Sequence, residues 1–133
     1  MKRIPTIGAL MTPFPWHLNV DATVADARTL MMRQGIHHLP VTDVEHQVLG
    51  LVALAALPDT PDPLADWIET VPSVDAHTRA DHVLEMMAES HQPVIVICHH
   101  DRLAGIFTWT DVCDRFAEFL REPFLPPNGN DAA

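Results

Sequence analysis

The stretch that decides the reading is Gly105-Ile106-Phe107-Thr108-Trp109-Thr110-Asp111. It closes an apolar run that reads as a strand and turns into a helix. In that helix Val112, Phe116, Phe119 and Leu120 recur at helical spacing, with Arg115, Glu118 and Arg121 on the other side. Thr110 is the expected N-cap, its hydroxyl accepting from the first free backbone amides. A strand-to-helix turn of this kind offers N–H groups and a positive dipole end, which suits an anion such as phosphate. Asp111 would oppose an anion. Its carboxylate fits better as an acceptor for a neutral donor pair, such as the vicinal hydroxyls of a ribose. A plain helix cap explains the same residues without any ligand.

The rest of the chain sets bounds on that reading. Its 133 residues suit one domain or two small fused halves, and 47% hydrophobic with 20% charged residues is a globular balance. The net charge of −10, from 18 acids against 8 bases, repels polyanions and argues against nucleic acid and anionic membranes. Lys2 is the one lysine, so a phosphate contact through a fixed charge would fall to the planar fork of an Arg. Lys2 and Arg3 precede an apolar start, but Pro5, Pro13 and Pro15 interrupt it and no cleavage pattern follows. The longest apolar run, residues 48–57, is too short to span a bilayer. Cys98 and Cys113 lack CxxC spacing and are expected as small buried hydrophobes, so a reduced, cytoplasmic protein is the expectation.

Upstream of the opening stretch the same pattern occurs twice. Residues 7–11 read as a short helix or turn. Thr23-Val24-Ala25-Asp26 has the form of a helix start, Val24, Ala27, Leu30 and Met31 follow at helical spacing, and Gly35 stops the helix. Leu39–Thr42 and Val48–Val52 are strands. Residues 58–63, Pro-rich, form a stiff linker. A short helix over 64–69, an extended piece at 74–76, a second capped start at Thr78, a helix through Val83, Leu84 and Met87, and strands at 94–97 and 103–108 then repeat the order. From Thr23 onward the halves superpose at an offset of 55 without a gap: Thr23 meets Thr78, Asp26 meets Asp81, Val41 meets Val96 and Gly50 meets Gly105. Matches spread over successive elements indicate an internal duplication. The two methionine pairs, Met31-Met32 and Met86-Met87, read as core packing.

This duplicated pattern resembles a tandem pair of cystathionine-β-synthase (CBS) domains. The residues that carry the resemblance are Ala9–Thr12, Val20–Thr23 and Gly35–Asp43 in the first half, and Val74–Ala76, Gln92–Val96 and the opening stretch in the second. The resemblance implies an α/β (α+β) fold of two β-α-β-β-α repeats packed with pseudo-two-fold symmetry. It divides the chain into repeat 1 (1–57), a linker (58–63), repeat 2 (64–121) and a tail (122–133) whose composition predicts disorder. CBS pairs are regulatory modules, many of which bind AMP, ADP, ATP or S-adenosylmethionine between the repeats, in a crossed geometry. Carried over, Asp111 would hold the ribose, Thr108 and Thr110 would contact ribose or phosphate, and Thr12, Leu18 and Ile36 would lie near the base. His37 and His38 take positions that reach phosphate, and Pro40, Gly105 and Ile106 complete the site. Trp16 lies near enough to stack on the base or to serve a dimer contact. Trp109 either points into the core or shields a ligand, and alternation along the strand favours the face opposite Thr108 and Thr110. A protonated histidine holds phosphate best, so affinity is expected to rise as pH falls through about 6.5.

Nine histidines are many for this length, but none shows helical metal-site spacing, and His99-His100 falls in a polar hairpin turn, so no metal is expected. There is no Gly-x-Ser-x-Gly, P-loop or Gly-x-Gly-x-x-Gly, so no enzyme and no obligatory cofactor is expected. The expectation is a stand-alone regulatory CBS pair that dimerises with itself and signals to an unidentified separate target protein. Its rival is a ligand-free dimerisation or adaptor module with a vestigial pocket, and a third alternative is metal sensing through the histidines. At the place of Thr108, Thr110 and Asp111 the first repeat has Ala53, Ala55 and Ala56, which cannot accept from a ribose. Calorimetric titration with an adenosine nucleotide should therefore give at most one site per chain; two would contradict the loss.

Overall fold

The helix after Thr23 starts as its sequence dictates. In the computed structural model, which describes residues 2–122 and 127, the Thr23 hydroxyl accepts from the Asp26 amide and the Asp26 carboxylate accepts from the Thr23 amide, both at 3.1 Å. This reciprocal cap opens α2 (Val24–Gln34), and Gly35, at φ 66°, ends it in the left-handed conformation. Before it stand α1 (Ile7–Leu10), β1 (Thr12–Pro13) and β2 (Leu18–Asn19); after it, β3 (His38–Thr42) and β4 (Val48–Ala53). The second half brings β5 (Ser73–Asp75), α3 (Ala80–Ser90), β6 (Val94–His99), β7 (Arg102–Thr108) and α4 (Trp109–Arg121). Single 3-10 turns occupy Leu54–Ala56 and Leu64–Trp67. Of the tail, only Glu122 and Pro127 are among the described residues. No described helix is long and apolar enough to cross a membrane.

The strands form two sheets, β2-β3-β4 and β1-β7-β6-β5. Strand β1 therefore leaves its own half and pairs antiparallel with β7, Thr12 opposite Ile106. The lead segments are exchanged between the halves. Ile7 donates its amide to Thr78 O at 2.7 Å, while Leu64 donates to Ala22 O at 3.1 Å. Ile7 is buried among Ala80, Val83, Met87, Ile95, Ile97 and Phe107 of the second repeat. Leu64 is buried among Val24, Ala27, Met31, Leu39, Val41 and Val52 of the first. A third cluster of Leu51, Val94, Val96 and Ile106 joins strands of the two sheets. Both faces of β6 are thereby covered, helix on one side and the other repeat on the other. This is why Val94–Ile97 is uniformly apolar instead of alternating.

The duplication is confirmed, but its register is not gapless. Val24, Ala27 and Met31 of α2 fill the places of Ala80, Val83 and Met87 of α3, an offset of 56. Val41 pairs with Gly50 and Ile97 with Gly105, so the first strands also match at 56 and the second strands at 55. The lost residue lies in the hairpin, where His100 and Asp101 turn in the left-handed region (φ 51° and 63°). One methionine of each pair, Met31 and Met87, is core, whereas Met32 is 64% exposed. Leu84 is likewise exposed. The second capped start is also displaced: α3 begins at Ala80, and Arg79 makes a two-pronged bond to the Asp81 carboxylate at 3.1 and 2.8 Å, so Thr78 makes no cap.

The exchange explains the two matched glycines. A Cβ at Gly50, whose φ is 154°, would meet Glu69 O and lie 2.6 Å from Ile68 Cγ2. A Cβ at Gly105 would meet Met11 Sδ and come within 2.9 Å of Thr12 O. Each glycine makes room for the segment arriving from the other half. Because Leu64 completes the core of the opposite repeat, Leu64→Ala should cost about 2–5 kcal/mol in urea unfolding; a loss below about 1 kcal/mol would show that the lead segment does not support that core.

Candidate functional site

The opening stretch of the second repeat sits where β7 passes into α4. The N-cap of α4 is Thr108, not Thr110: the Thr108 hydroxyl accepts from the Asp111 amide at 3.3 Å, and Asp111 Oδ2 accepts from the Thr108 amide at 2.9 Å. The helix starts two residues earlier than its apolar spacing indicates, because the Thr-x-x-Asp box ends at Asp111 and Trp109 already has its amide on Pro93 O at 3.1 Å. Trp109 consequently leaves the strand alternation and lies on the same side as Thr108 and Thr110. The other carboxylate oxygen, Asp111 Oδ1, accepts from the Thr12 hydroxyl at 3.1 Å. Arg115 ties α4 to α1 through Leu10 O at 3.3 Å.

These groups face a cleft of about 420 Å³ between the repeats. Thr12, Ile106, Thr108, Thr110 and Asp111 line one side; Ile36, His37 and His38, from the turn between α2 and β3, line the other. The crossed geometry implied by the resemblance is present. Leu18, Pro40 and Gly105 stand apart from the lining. Leu18 pairs with Val41 and packs on the first core. Pro40 is buried in β3 opposite Leu51. Gly105 is buried under β1, opposite Pro13. Trp16 is exposed and also outside the lining. Two lining residues were not assigned to the site from sequence, Pro93 and Trp109. Pro93 was legible in principle, since at the structural offset its turn is the counterpart of the one holding His37 and His38.

The cleft is apolar with a few convergent polar groups. Its lining includes one carboxylate, two imidazoles and three hydroxyls, and no Lys or Arg among the described residues. Burial, and then the neighbouring His37, push the His38 imidazole below its usual pKa, with Glu69 pulling the other way. The N-terminus of a 13-residue helix adds a positive dipole end to the same wall. Donors and acceptors so arranged suit a small ligand with hydroxyls near Asp111 and a weakly charged anionic end near the histidines. The first repeat builds no such wall. After β4 the chain makes one 3-10 turn, Leu54–Ala56, entered at Ala53 without any side-chain cap and closed by the Leu57 amide on Leu54 O. The two cysteines are free: Cys98 is half-buried, and Cys113, expected to be buried, is exposed on α4.

The CBS domain model matches residues 7–57 and 65–118. Among solved structures, a provisionally assigned acetoin utilization protein (AcuB) from Vibrio cholerae is 26% identical, with a TM-score of 0.81 over 93% of this chain and 100% of that one. CBSX2 in complex with AMP is 20% identical, with a TM-score of 0.78 over 88% of this chain and 99% of that one. The CBS domain pair of protein MJ0100, in complex with 5-methylthioadenosine and S-adenosyl-L-methionine, is 19% identical, also with a TM-score of 0.78 and the same coverage of 88% and 99%. No curated protein matches the chain significantly. Two family matches in tandem cover most of the sequence, and the exchanged, duplicated fold agrees with them: the chain belongs to the CBS-domain family, as a tandem pair.

Proposed function

We propose that this CBS pair is a regulatory, non-catalytic module that senses an adenosine-containing ligand in one cleft between its repeats, the one walled by Asp111, and signals to a separate protein. The observation that carries the reading is the meeting, in one cleft, of the Asp111 wall from repeat 2 with His37 and His38 from repeat 1. Similar folds solved with AMP, and with 5-methylthioadenosine and S-adenosyl-L-methionine, support the ligand class. A ligand touching both walls bridges the repeats and favours one arrangement of the pair over others. Asp111 accepts ribose hydroxyls on its remaining lone pairs, and Thr108 and Thr110 face the ribose or phosphate. Without a fixed cation in the lining, AMP or a sulfonium nucleoside is a better match than ATP, whose extra phosphates would meet uncompensated charge. The exposed apolar side chains of α4, with Phe116 and Phe119 stacked at 6.0 Å, suit self-association as a homodimer in the cytoplasm.

A second reading has its own support: each Asp111 oxygen already has a partner within the protein. On that reading the box is only a cap and the module is a ligand-free dimerisation adaptor. Thermal-shift measurements with AMP, S-adenosylmethionine and ATP separate the two. Sensing requires a ligand-dependent rise in Tm of several degrees, as [L] near 100 Kd contributes about 2.7 kcal/mol. Asp111→Ala should abolish that rise. Asp111→Asn, which keeps a cap acceptor, should weaken it while leaving the ligand-free Tm closer to the parent. No shift with any of the three supports the adaptor.

The pH dependence follows from His38. Its lowered pKa keeps it neutral at and above about pH 6.5, so its help to a phosphate begins only below that value. AMP affinity should therefore rise as pH falls from about 6.5 towards 5.5. In the free protein the sign is opposite. The unfolded state takes up this proton first, so stability contributed by neutral His38 declines over the same window. His38→Gln should flatten both trends, and an AMP isotherm unchanged over that window would exclude His38 from the phosphate end.

A further inference from the structure

A cluster of side chains of metal-ligating type lies at the other end of β7 from the cleft. Asp75 ends β5, His77 stands in the turn before α3, and His99 ends β6. One ligand atom from each lies within 4.8 Å of those of the other two. The His77 ring nitrogen Nδ1 is 2.9 Å from Asp75 Oδ1. The His77 and His99 rings have centroids 5.6 Å apart, and the His100 ring lies tilted beside His99 at 4.1 Å.

Backbone structure holds this arrangement together. Asp75 pairs with Cys98 across β5 and β6, which places it beside His99. Its carboxylate also accepts from the His77 amide at 2.8 Å, a local turn that fixes the carboxylate and the ring relative to one another. The tight left-handed turn at His100 and Asp101 returns the chain to Arg102, opposite His99.

We propose that Asp75, His77 and His99 form a binding site for a divalent transition-metal ion of the zinc type, with His100 within reach as a fourth donor. Two imidazoles and a carboxylate match a borderline ion such as zinc rather than magnesium or calcium, which take oxygen. A tetrahedral ion about 2.0 Å from each donor separates donors by about 3.3 Å. The Asp75–His77 pair needs to open by only a few tenths of an ångström to admit one. His99 must close on them by at most about 1.5 Å, within the range of one exposed side-chain torsion. To ligate through Nδ1 the neutral His77 ring takes the tautomer with its proton on Nε2, and the ion replaces the contact between Nδ1 and Asp75. Cys98, on the neighbouring strand position, is not among the clustered donors. A bound ion would tie the β5–α3 turn to the β6–β7 hairpin.

The site shares no residue with the nucleotide cleft, so the two fail independently. Equilibrium dialysis of the tag-free full chain against zinc chloride is expected to give about one ion per chain with a Tm rise. His77→Asn and His99→Asn should each weaken binding by about ten- to a hundredfold or more. Asp75→Asn, which keeps an acceptor for the His77 amide, should do the same without loss of fold. His46→Asn, outside the cluster, and Asp111→Asn, in the cleft, should leave the isotherm unchanged. Absence of saturable binding would overturn the proposal, as would an isotherm that the His77 and His99 variants do not alter.

Discussion

Everything in this molecule depends on the exchange of lead segments between the repeats. Neither half has enough apolar surface in its own helix and strands to close a core. Ile7 and Leu64, both fully buried, supply the missing side chains from the opposite half. The backbone bonds at Thr78 O and Ala22 O fix where each segment crosses, and the glycines at 50 and 105 let it pass close to the sheet. The cleft is a by-product of that crossing. Thr12 reaches Asp111 only because β1 has left repeat 1 to pair with β7.

On the proposed reading, one set of side chains serves structure and ligand together. Thr108 and Asp111 close the cap of α4, and Thr12 takes the remaining carboxylate oxygen. These bonds hold the carboxylate in place before anything binds, which lowers the ordering cost of binding. The first repeat lacks both functions at once. Ala53 and Ala56 give it neither the hydroxyl nor the acid of the box, and its α-helix shrinks to a 3-10 turn. Loss of the polar wall and loss of a helix are one change there, not two.

Much of this was legible in the residues. The duplication, the capped start at Thr23 and the stop at Gly35 follow from local chemistry, and local chemistry survives folding. What misled was register. Identities at an offset of 55 align Met32 with Met87, yet burial pairs Met31 with Met87, because the helix stripe and not identity sets the phase. The cap moved from Thr110 to Thr108 for a related reason: apolar spacing locates the body of a helix, whereas the reciprocal box locates its end. Leu18, Pro40 and Gly105 were placed at the ligand by resemblance, but strand pairing directs them to the cores and the crossing. Pairing between distant segments has no signature at single-sequence level.

The crossing of the lead segments also constrains how the chain reaches this state. Ile7 finds its place beside Phe107, a hundred residues later, so the second core cannot close until almost the whole described chain is available. The first core likewise waits for Leu64, beyond the Pro-rich linker. Contacts of such sequence separation slow folding, because loop closure is costly before any burial offsets it. Neither repeat is therefore a module that can mature by itself as it leaves the ribosome; the pair is the smallest unit that folds, and each half acts as the template on which the other is completed.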